Sequence, residues 1–122
     1  MKPHALLVLE ACLERLELAN RSWIEHARRH LDQLVANRLE RAQEELVPME
    51  EILGTIDEED DVRLRATIDL ALELGLPPEP LPRVELLVRH LDPEDGTVLA
   101  ERCARLRTTI QEASELAKRV QG

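Results

Sequence analysis

A chain of 122 residues has room for one domain, and its 43% hydrophobic and 34% charged residues, with one Trp and neither Phe nor Tyr, suit helices rather than strands. The formal charge of −9 and a pI near 4.9 exclude the cationic surface that nucleic acid or an anionic membrane requires. A single aromatic residue also leaves no platform for stacking bases.

From the N-terminus, the apolar run Ala5–Leu9 stops at Glu10, too short for the core of a secretion signal, and no stretch is long enough to span a bilayer. The expected location is the cytoplasm. There Cys12 and Cys103, far apart and without metal-type spacing, stay reduced as small buried hydrophobes. Leu6, Leu9, Leu13, Leu16, Asn20, Trp23, Ala27, His30 and Leu34 alternate at steps of three and four. This heptad seam, free of proline and glycine, predicts one long helix over about 5–47, roughly 60 Å in length. Past Leu34 the stripe drifts to Val35, Leu39, Ala42 and Leu46, as a straight helix read against a seven-residue repeat must do.

Pro48 is expected to end or kink that helix. A second helix follows over about 49–75, with Gly54-Thr55 a candidate break near 54–57. The acidic run Asp57-Glu58-Glu59-Asp60-Asp61 suits the first turn of a resumed helix, and Gly75 suits its C-terminal cap. Four prolines then make 76–82 an extended linker, followed by a short helix over 83–91. Asp92-Pro93-Glu94-Asp95 is a strong helix start, with an Asp cap and Pro at the first helical position. The final helix, 93–121, carries Leu99, Cys103, Leu106, Ile110, Ala113, Ala117 and Val120 at steps of four and three. The fold expected is all-α: a long antiparallel helical hairpin or bundle, with a short helix after the proline linker.

No constellation for catalysis, cofactor binding or metal stands out. His26 and His30 have the i, i+4 spacing of a metal edge but lack the glutamates of an HExxH or a Glu-x-x-His motif. Arg83 and His90 fall within the loose Arg-to-His gap of HEPN-type helical nucleases, a two-residue pattern that arises easily by chance. The Asp57–Asp61 run lacks the glycine of an EF-hand loop. The expected role is therefore protein binding without a cofactor. The strip Leu106, Ile110, Ala113, Leu116, Ala117 and Val120 is the candidate partner surface, because its alanines allow another helix close and its end lies where few intrachain contacts are expected.

The layout resembles the flagellar type III export chaperones of the FlgN class. A long first helix leads through Leu34-Val35-Ala36-Asn37-Arg38-Leu39 into a second. Val62-Arg63-Leu64-Arg65 runs on to Leu72-Glu73-Leu74-Gly75-Leu76, similar to the family's Leu-Gly-Leu stretch, and Asp92-Pro93-Glu94 opens the last helix. Ala117 and Val120 stand where the family commonly carries an Asn-x-x-Asn-Gly-like motif. The resemblance implies an ATP-independent cytoplasmic chaperone that covers terminal amphipathic helices of flagellar hook-associated proteins before export. The alternatives are a coiled-coil scaffold or regulatory adaptor, with self-association into a homo-oligomer open, and a HEPN-like nuclease.

Overall fold

The computed structural model describes residues 2–122, and 84% of the chain is helical with no strand among the described residues, so the fold is all-α. Four helices follow in order: α1 (His4–Val35), α2 (Leu39–Glu73), α3 (Val84–Arg89) and α4 (Pro93–Gln121). No helix among them is long and apolar enough to cross a membrane.

The single helix expected over 5–47 is instead two. α1 stops at Val35 because Asn37 takes a left-handed conformation, φ 58°. Asparagine tolerates that geometry better than other residues with a side chain. Arg38 N–H then donates to the carbonyl of Gln33 at 2.8 Å, and Asn37 N–H to that of Leu34 at 3.0 Å. These bonds are the paired closures of a Schellman motif. Gly75, φ 75°, ends α2 in the same way, with Leu76 N–H on Ala71 at 2.8 Å and Gly75 N–H on Leu72 at 3.1 Å.

Of the two outcomes expected at Pro48, an end or a kink, the end does not occur, and neither does the break near 54–57. Pro48 lies inside α2, and the helix runs on through Gly54-Thr55 and the acidic run. Those carboxylates therefore sit in mid-helix, away from any helix N-terminus. A mid-helix proline costs about 3 kcal/mol relative to alanine. Packing offsets it here, since Ala42 and Met49 on either side are buried against α1. The short helix spans 84–89, and α4 has the expected span with Pro93 in its first turn. Asp92 occupies the cap position, but its side chain makes no capping hydrogen bond.

α1 and α2 form an antiparallel hairpin. Ala5 N–H donates to Glu73 Oε1 at 3.2 Å at one end, and His30 Nδ1 lies 2.7 Å from the carbonyl of Ala42 at the other. α4 then runs beside α1 in the same direction: Lys2 lies 3.9 Å from Asp95, Glu14 3.7 Å from Arg102, and Arg28 pairs with Glu112. Successive long helices thus alternate in direction, with α1 in the middle. Leu6, Leu9, Cys12, Leu13 and Leu16 of α1 meet Leu70, Leu87, Leu99 and Leu106 in one core cluster. Trp23, Ile24 and Ala27 meet Met49 and Leu116 in a second.

Candidate partner-binding groove

α2 and α4 both pack along α1 and share no comparable interface with each other. A shallow channel therefore lies between them, made of two separate depressions with no lining residue in common, over α1 side chains that are less than a tenth exposed. At one end it is lined by Leu13, Leu16 and Asn20 below, Ile56, Asp60 and Arg63 on α2, and Cys103, Leu106, Arg107 and Ile110 on α4. At the other, Trp23 forms the floor between Leu46, Met49 and Leu53 of α2 and Ala117 and Val120 of α4. The two depressions have volumes of ≈ 450 and ≈ 550 Å³. Their apolar side chains follow helical spacing on each wall, and the Leu13 end adds Asn20, Arg107, Gln111 and the Asp60–Arg63 ion pair.

The sequence-predicted strip is only partly on this channel. Leu106 and Leu116 are core residues, 6% and 7% exposed, in the first and second clusters respectively. Ala113, Ala117 and Val120 are half-buried against the second cluster. The end of the last helix, where few intrachain contacts are expected, is packed instead: Leu116 and Arg119 lie beside Leu31 and Asp32, before α1 ends. The small residues do admit a helix closely, but that helix is α1, whose Ala27 is fully buried. Ile110 alone stays well exposed, at 46%. Among the channel residues that the strip omits are Leu46 and Leu53, exposed on α2, and the seam Leu13, Leu16, Asn20 and Trp23.

Polar groups around the floor are mostly satisfied. Asn20 is buried and donates from Nδ2 to the carbonyl of Leu16 at 2.8 Å. Trp23 is more than nine-tenths buried, and its indole N–H has no acceptor among the described residues. A buried donor left without a partner costs about 1–3 kcal/mol.

The other candidate groups have structural partners. His26 Nδ1 lies 2.5 Å from Glu45, whose carboxyl is held below its ordinary value by that hydrogen bond. Arg15 does the same for Glu59 through a 2.9 Å contact. His30 instead faces the carbonyl of Ala42, so the two histidines serve the hairpin closure separately. Arg83 and His90 are exposed, and His90 Nδ1 bonds the Leu86 carbonyl on its own helix. No group of three potential metal ligands occurs among the described residues. Both cysteines are free; burial pushes the Cys12 thiol up to about 11 and raises that of Cys103. Comparison of the chain with protein-family models, curated proteins and solved structures finds no match.

Proposed function

We propose that this chain is a helix-holding chaperone of the FlgN class, which covers amphipathic helices of flagellar hook-associated proteins before their export. The observation that carries this is the shallow channel between α2 and α4. Its lining is largely apolar, with Leu46 and Leu53 exposed on α2 and Ile110 exposed on α4, the kind of surface a helix-in-groove interaction uses. The client class comes from the sequence resemblance, and the channel supplies a place for such a client to lie.

The test uses the full chain and synthetic copies of the terminal helices of hook–filament junction proteins encoded in the same genome. Trp23 is the only aromatic residue and lines the channel, so its emission reports occupancy directly. Saturable binding at micromolar concentration is expected. Leu53→Asp and Ile110→Asp should each weaken it at least tenfold, since a charge would face an apolar interface without a partner. Both residues are about half exposed in the free protein (48% and 46%), so far-UV circular dichroism should stay unchanged. Absence of saturable binding by all of these helices overturns the proposal.

A further inference from the structure

The walls of the channel differ in charge. α2 holds twelve carboxylates against only Arg41, Arg63 and Arg65, and so carries by itself the whole −9 of the chain. α4 holds five charges of each sign. Glu50 lines the channel, and Asp57 and Asp61 follow it at steps of seven and four, which places all three on one exposed edge of α2. None of the three is paired with a cation among the described residues. The outer edge of α4 reads Arg107, Gln111, Ser114, Lys118 and Gln121 at steps of four and three, all exposed, with two cations and no acid.

We infer that the channel takes a single amphipathic helix with a basic edge against α2 and an acidic edge against α4, an inference that rests on the helix-holding role proposed above. Taken across both depressions, the lining residues span Leu46 to Arg63 on α2 and Cys103 to Val120 on α4, about 26 Å each at 1.5 Å per residue, which matches a helix of about five turns. An occupant with acidic edges on both sides meets like charge along α2 whichever way it lies. An occupant with one basic and one acidic edge satisfies both walls in one of its two directions and neither wall in the other. Charge complementarity of this kind selects partners and fixes their register more than it adds affinity. Here it also fixes the direction in which the bound helix runs.

Three designed peptides of 18 residues test this, each with the same leucine face: one edged by Lys on one side and Glu on the other, one edged by Glu on both, and one by Gln on both. They are titrated against the full chain, with Trp23 emission as the readout. The two-signed peptide should bind at least tenfold more tightly than the double-Glu peptide at low salt, with the gap narrowing in 0.5 M salt as screening shortens to a few ångströms. Glu50→Lys combined with Asp57→Lys, both at exposed positions, should remove that advantage without loss of helicity. Equal binding of all three peptides, or tightest binding of the double-Glu peptide, overturns the charge selection while leaving helix holding intact. Persistence of the two-signed preference in the Lys variant also overturns it. If none of the three binds, the helix-holding role falls as well.

Discussion

Cys12 is fully buried on α1, with its Sγ 3.1 Å from the carbonyl of Glu59 on α2. Burial is the main cause that pushes its thiol up from an ordinary value near 9 to about 11, and the neighbouring Glu59 adds to it. The thiol is therefore neutral at physiological pH and a poor nucleophile, in keeping with a packing role. The sign of the linkage follows. Below pH 9 the thiol is protonated in both folded and unfolded chains and no penalty arises. Between about pH 9 and 11 the unfolded chain loses its proton first, so stability falls as pH rises. The urea midpoint should decline across that window, and a Cys12→Ala variant, less stable at neutral pH because a buried group is lost, should lack this part of the decline. An equal decline in both proteins would assign it elsewhere.

At the scale of elements, α2 is the helix whose sequence and conformation disagree most. It holds a proline at position 48 and a glycine at position 54, and it still runs unbroken for 35 residues. Nothing lies within 4 Å of the place a Cβ would occupy on Gly54. Gly54→Ala should therefore raise stability by about 1 kcal/mol, the difference in helix propensity, read as an upward shift in the urea midpoint without a change in slope. A loss of stability would mean that the local backbone departs from an ordinary helix. Gly75→Ala is the opposite case, because its positive φ strains any residue with a Cβ.

The same elements show what can be read from the sequence. α4 was legible from end to end, because Pro93 marks its start and the stripe from Leu99 to Val120 never lapses. The α1–α2 corner was not. Asn37 lies among residues that all favour helix, and its left-handed conformation is set by the two Schellman hydrogen bonds and by the hairpin that folds behind it. The drift from Leu34 to Val35, Leu39, Ala42 and Leu46 is a change of helix, not a slow rotation of one. Once the turn at Asn37 is known, Leu46, Met49, Leu53 and Ile56 form a single stripe through Pro48, and with it one wall of the channel. The strip on α4 is legible in the sequence but its neighbour is not: its alanines meet α1, and of its six residues only Ile110 remains well exposed. That distinction depends on which long helix occupies the middle, and periodicity alone carries no such information.

For the molecule as a whole, the decisive feature is that α1 has partners on two sides while α2 and α4 have one main partner each. Along the chain, α4 is connected to the hairpin through residues 74–83 and the short α3, a segment with four prolines. The helices therefore need not open together. Undocking α4 leaves the α1–α2 hairpin closed at both ends by its own hydrogen bonds, from Ala5 and Glu73 to His30 and Ala42. Removing α1 would take away the main partner of both α2 and α4. Native-state hydrogen exchange should accordingly show a ladder of opening energies, highest for α1 amides in the Leu6–Leu16 stretch and lowest for the last turns of α4. A single shared opening energy for all three long helices would show that the chain moves as one cooperative unit. With the ladder, the free protein spends a small, measurable fraction of its time with the α1 seam uncovered from Leu13 to Ala27, and any segment that competes with α4 for that seam gains entry at a rate set by that local opening and not by global unfolding.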